Sequence, residues 1–135
     1  MSSGRIVICG FGRVGEALAN AVRPKAVSIV ERASERARLA RMVGFQVIDG
    51  DARHLHALRV AKVGTAAQIM ICTGDPESRA VIDAVRTIND SAPVRVVVRR
   101  PECLSEIAAS CPTDLIYLPA LTGMLLADAC LPDDF

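Results

Sequence analysis

The stretch IVICGFGRVG, residues 6–15, constrains this chain more than any other. The apolar run Ile6-Val7-Ile8 leads into Gly10, Gly12 and Gly15 at the spacing G-x-G-x-x-G. β-branched residues suit a strand, and glycines allow a turn too tight for side chains. The next segment, Arg13–Val22, puts Val14, Leu18, Ala21 and Val22 on one helical face. A strand, a glycine turn and a helix in that order make the opening of a parallel α/β unit.

The remainder repeats the alternation. Strands are expected at Arg5–Cys9, Ala26–Glu31, Phe45–Ile48, Ala67–Thr73, Val94–Arg99 and Leu115–Leu118. Between and after them come helical segments. Arg13–Val22 is stopped by Pro24, and Ser34–Val43 has Ser34 near its cap and Gly44 behind it. Leu55–Val63 follows, then a helix capped by Asp75 with Pro76 in its first turn and running to about Asn89. Pro101–Ser110 and Ala120–Leu131 complete the set. Such a series implies a six-stranded parallel sheet with helices on both faces. Short right-handed crossovers make it doubly wound, of Rossmann type. With 135 residues and no linker or repeat, residues 1–135 are expected to form a single domain.

Composition removes several classes of function. Lys+Arg is 16 against 15 Asp+Glu, so no polyanion partner is called for. Aromatic residues are 3% of the chain and Trp is absent, which excludes a stacking surface for nucleic acid. No apolar run is long enough to insert in a membrane. Cys9, Cys72, Cys103, Cys111 and Cys130 form no C-x-x-C pair and read as small buried hydrophobes in a reducing cytosol. His54 and His56, two apart, do not face one another on a helix, so no metal site is expected there. No nucleophile–base constellation is evident. Thr73 and Ser78 read as cap and loop residues, and no catalytic residue is assigned.

The glycine loop stands where a dinucleotide fingerprint requires it, after a strand and at the start of a helix. Gly10 permits the turn, Gly12 the approach of a pyrophosphate, and Gly15 close packing of helix on strand. The helix N-terminus offers N–H groups to phosphate. The fingerprint also asks for an acid about 20 residues on, at the end of the second strand. Glu31 stands there, able to accept from both ribose hydroxyls and to repel a 2′-phosphate, with Arg32 and Arg36 nearby.

Together, GFGRVG, Glu31, the Gly50-Asp51-Ala52 triplet, ICTGD (Ile71 to Asp75) and VVVRRPE (Val96 to Glu102) resemble the N-terminal domain of regulators of potassium conductance, the TrkA-N or RCK N-terminal domain. The resemblance covers nearly the whole chain. It implies that Gly10, Phe11, Gly12, Arg13, Val14 and Gly15 wrap the phosphates. Glu31 would hold the adenosine ribose with Arg32 beside it, and Asp51 and Ala52 would edge the adenine. Thr73 and Gly74 would lie near the second half of a dinucleotide, and Arg99 would reach phosphate or a partner subunit. Arg53 stands where the family commonly has a small hydroxyl residue.

By the same resemblance, the ligand is NAD(H), or ATP, ADP or AMP at the same site. The chain would be a cytoplasmic regulator, not an enzyme, of a membrane potassium channel or transporter, carried on a separate chain or the same polypeptide. An NAD-dependent oxidoreductase fragment without its substrate domain is the alternative. The apolar segment PALTGMLLADACL, residues 119–131, has two readings. It is a buried last helix with Leu121, Leu125 and Ala129 on the sheet, or an interface in a homodimer or ring. The resemblance favours the interface.

Overall fold

The computed structural model describes residues 4–23 and 25–131. The expected stop at Pro24 lies outside the described residues. The elements in chain order are β1 (Ile6–Cys9), α1 (Arg13–Val22), β2 (Val27–Glu31), α2 (Ser34–Met42), β3 (Gln46–Asp49), α3 (Leu55–Val60), β4 (Gln68–Ile71), α4 (Asp75–Ile88), β5 (Val94–Val98), α5 (Leu104–Ala108), β6 (Asp114–Tyr117) and α6 (Leu118–Cys130). The sheet order is β3-β2-β1-β4-β5-β6, every pairing parallel. The order reverses direction at β1, between β2 and β4, so a crevice opens beyond the carboxyl ends of those strands. Cys9 is level with Val30 on one side and Ile71 on the other, which brings three loops to one rim.

The strands are apolar on both faces because both faces are covered. Val7 and Cys9 of β1, with Ile69 and Ile71 of β4, pack beneath Leu58, Val81, Ile82, Val85 and Ile107. Ile8 faces the other way, with Ile29, Ala19, Ala40 and Phe45. Full burial of each large aliphatic side chain contributes about 1.5–3 kcal/mol. On α1 the buried positions are Gly15 and Ala19, while Val14, Leu18 and Val22 are half-buried and Ala21 is exposed. The inner face therefore follows the smallest residues, which let the helix lie close to the sheet.

Several boundaries differ from the sequence expectation for local reasons. The helix from Leu55 ends at Val60, because Lys62 takes a left-handed backbone (φ 63°) and Val63–Thr65 form a 3-10 turn. Pro101–Cys103 is likewise a 3-10 turn ahead of α5. At α4 the N-cap is Gly74, not Asp75, and at α2 it is Ala33. Cys9 and Cys72 are buried as expected, but Cys103 is half-buried and Cys111 and Cys130 are exposed. Of the two readings of residues 119–131, burial of Leu121, Leu125 and Ala129 on the sheet does not occur. No residue of α6 is buried, and Leu121 and Leu125 are 43% and 63% exposed.

One buried amide ties the lower edge together. Asn89 Nδ2 donates to the Val63 carbonyl (2.8 Å), and its Oδ1 accepts from the Ala92 and Ser91 amides (2.9 and 3.1 Å). Removing it orphans buried donors and acceptors at once. Asn89→Ala is expected to lower unfolding free energy by about 2–3 kcal/mol in urea titration. A loss below about 0.5 kcal/mol would show that water replaces the amide.

Candidate functional site

The crevice at the strand ends is a cleft of about 370 Å³. Its walls include Gly10, Gly12, Glu31, Arg32, Asp51, Ala52, Thr73, Gly74 and Arg99 among the residues singled out from sequence. Gly50, Cys72, Asp75, Pro76, Glu77 and Arg100 join them without having been expected. Phe11, Arg13, Val14 and Gly15 do not line it. The Phe11 ring lies in the core, edge-on to Phe45 at 6.0 Å. Val14 packs against that same core, Gly15 is buried on the inner face of α1, and Arg13 is exposed at the start of α1.

The three glycines have different reasons to be glycine. Gly10 has φ +100°, and a Cβ there would sit 2.9 Å from the Cys72 carbonyl group. A Cβ at Gly15 would meet the Gly10 oxygen at 2.0 Å. Gly12 is extended (φ −78°, ψ −160°), and a Cβ there would meet nothing within 4 Å. The fold demands the first and third glycines but not the second. What Gly12 keeps open is the space in the cleft above it. It is also the N-cap of α1 and carries no side-chain cap, so the first amides of that helix are left for an outside acceptor.

Glu31 is not a solvated strand-end acid. It is 5% exposed, and its Oε1 accepts from the Phe11 amide (2.7 Å). Arg36 Nε lies 3.4 Å from that same Oε1, and Oε2 accepts from the Ala33 amide (2.8 Å). The carboxylate thus fixes the glycine loop and the start of α2 together. Glu31 lines the cleft, and a carboxylate with about four lone-pair sites is not saturated by these contacts.

Asp51 is clamped by Arg53, whose backbone amide and side chain all reach its carboxylate at 2.6–3.1 Å. The Arg53 hydrogen bonds hold that carboxyl well below the usual carboxylate range. Asp75 is buried and does not cap its own helix. It accepts from the Arg99 amide (2.9 and 3.1 Å) and the Arg100 amide (2.6 Å), binding the start of α4 to the end of β5. Arg99 Nη1 is then held over the Thr73 carbonyl at 3.4 Å. The hydroxyls of Thr73 and Ser78 lie 3.4 Å apart, and Ser78 donates to the Gly74 carbonyl. Across the mouth, Arg32 Nη2 donates to Glu77 Oε1 at 2.6 Å. His54 and His56 are both exposed on an adjoining hollow of about 550 Å³ beside β3, which shares Gly50 and Asp51 with the cleft. Among the described residues no group of three or more His, Cys, Asp or Glu is placed to hold a metal ion.

Asp75 and Glu77 were missed because their partners lie far off in sequence. The one available signal was an Asp directly after the Thr73-Gly74 pair that follows β4, where an acid can turn inward as well as cap.

Comparison with known proteins follows the same lines. The model of the TrkA-N domain family matches residues 6–117. The structure of the TrkA-N domain of the inner membrane protein ybaL from Escherichia coli superposes with TM-score 0.85 at 14% identity. That match covers 93% of this chain and 96% of that one. The NAD(P)-binding domain of an exopolyphosphatase-related protein from Archaeoglobus fulgidus gives 0.81 at 18% identity, covering 93% and 96%. The GsuK channel bound to NAD gives 0.80 at 23% identity, covering 91% of this chain but 23% of the channel's. The chain therefore spans about a quarter of the channel. Among the described residues no helix is long and apolar enough to cross a membrane.

Two expectations follow. Gly12→Ala leaves thermal stability within about one degree, while Gly15→Ala costs about 3 kcal/mol because helix and loop must part. Equal losses in calorimetric melts would overturn the distinction. Burial pushes the Cys9 thiol up to about 12 and the Cys72 thiol, on the cleft floor, up to about 11. The folded state keeps these protons where the unfolded chain, with pKa near 9.0, gives them up. Stability should then be full below pH 9 and fall as pH rises through 11–12. Urea titrations at pH 8 and 10.5 should show a smaller fall in Cys9→Val than in the wild type.

Proposed function

Because the chain belongs to the TrkA-N domain family, we propose that it is a regulatory nucleotide-binding unit that couples cleft occupancy to potassium transport. The observation that carries this reading is Gly12, a glycine that the fold does not need, lining the cleft at the N-terminus of α1. Phosphate would rest on the first amides of α1, and the ribose hydroxyls would reach the free lone pairs of Glu31. Ala52 would edge the base, with Asp51 held in place by Arg53. A second nucleoside would extend toward Thr73, Gly74 and Arg99. The ligand class is NAD(H) or an adenine nucleotide, in keeping with the NAD bound to the GsuK channel.

In this reading the chain binds and performs no chemistry. Ligand shifts an equilibrium between two arrangements of an assembly, by no more than its difference in affinity for them. The assembly is a homodimer or ring on the cytoplasmic side, attached to a channel or transporter. The surface that would build it is α6, where Met124, Leu125 and Leu126 are 62–67% exposed on one short helix. A second copy covering α6 would remove that apolar area from water.

The test is calorimetric titration with NAD⁺, NADH, ATP, ADP and AMP, on wild type and on Gly12→Ala. Binding of at least one nucleotide, weakened about tenfold or more in the variant, is expected. Glu31→Gln is a better probe than Glu31→Ala, since alanine would orphan two backbone amides and confound binding with stability. No binding to any of the five would overturn the reading. Hydride exchange by the purified chain would instead support the oxidoreductase fragment.

A further inference from the structure

We propose that the Arg32–Glu77 ion pair is a bar across the cleft, and that Glu77 thereby sets the preference between an adenine mononucleotide and a dinucleotide. The inference rests on the nucleotide-site reading above. Arg32 directly follows β2, and Glu77 is the third residue of α4, after β4. β1 lies between those strands, and its glycine loop leaves the sheet between the two side chains. Their charged ends nevertheless meet at 2.6 Å, and both line the cleft that Gly10 and Gly12 line. The pair therefore joins the two sides of the crevice.

The bar divides the cleft into unlike halves. On the β2–β3 side lie Glu31, Asp51 and Ala52. On the β4–β5 side lie Thr73, Gly74 and Arg99. A mononucleotide needs only the first half. A dinucleotide must run through both, so the pair has to open for it. Arg32 has somewhere to go, because its Nη1 already lies 3.7 Å from Asp51 Oδ2 on the mononucleotide side. The Arg32 side chain is 56% exposed. An exposed pair of this kind is weak, so opening it should cost a dinucleotide about two- to fivefold in affinity.

The obvious rival is that Glu77 merely adds negative charge near bound phosphate. The two accounts differ in sign. AMP carries about −1.5 to −2 at pH 7, whereas the cationic nicotinamide of NAD⁺ offsets part of its pyrophosphate charge. Removing a nearby negative charge would help AMP at least as much as NAD⁺. Removing a bar helps NAD⁺ more.

AMP and NAD⁺ are titrated calorimetrically into wild type, Glu77→Gln and Asp83→Asn. Asp83 is an exposed acid farther along α4 and serves as the charge control. The ratio of the AMP Kd to the NAD⁺ Kd is expected to rise about two- to fivefold in Glu77→Gln and to hold in Asp83→Asn. An unchanged or falling ratio, with both nucleotides still bound, overturns the bar and spares the site. Failure of both nucleotides to bind any of the three proteins overturns both.

Discussion

The carboxylate of Glu31 ties the first loop of the sheet to the second. Through the Phe11 amide it holds the turn that leaves β1, and through the Ala33 amide it starts α2. Both bonds are charge-assisted, and the group is almost fully buried, so neither amide has water as a substitute. A neutral apolar side chain here would leave two loops to find their own positions. The glycine loop is thus pre-set before any ligand arrives. The same atoms that shape it are the ones that would receive a ribose, so order and recognition share one group.

Asp75 does a comparable thing on the other side of the switch point. It joins the first residue of α4 to the amides that follow β5. Asp51 is fixed in its turn by Arg53. The cleft is therefore walled by acids that already have partners. Four of them, Glu31, Asp51, Asp75 and Glu77, meet arginine or backbone N–H groups. Such pre-pairing lets carboxylates stand near an anionic ligand without being repelled outright, because their charge is already largely balanced. It also concentrates whatever freedom the site has in the one pair that is well exposed and spans the opening, Arg32 with Glu77.

How much of this a reader of the sequence can see depends on how far the determining contacts lie apart. The strands and helices were legible because apolar periodicity is local. The order of the sheet followed from short right-handed crossovers. The roles of Gly10 and Gly15 were legible because a glycine turn between strand and helix is a local object. Lys62 was not, since a left-handed lysine between two short helical pieces leaves no mark in composition. The structural work of Glu31 was hidden because one of its partners lies 20 residues away in the loop that it was expected only to accompany. Asp75 looked like a cap for the same reason. Its true acceptor role spans 24 residues to Arg99.

The last helix shows a different limit. Its composition says that α6 must be covered, since a helix apolar around most of its circumference is rarely stable facing water. Composition says nothing about which surface does the covering. A sheet in the same chain and an α6 from a neighbouring copy leave identical hydropathy. Here the helix follows β6 at the edge of the sheet, and only its first residue, Leu118, packs against a core. The apolar character of α6 was therefore legible in the sequence, but its exposure in the fold was not. A helix held by few contacts within its own domain takes its position from whatever packs on it.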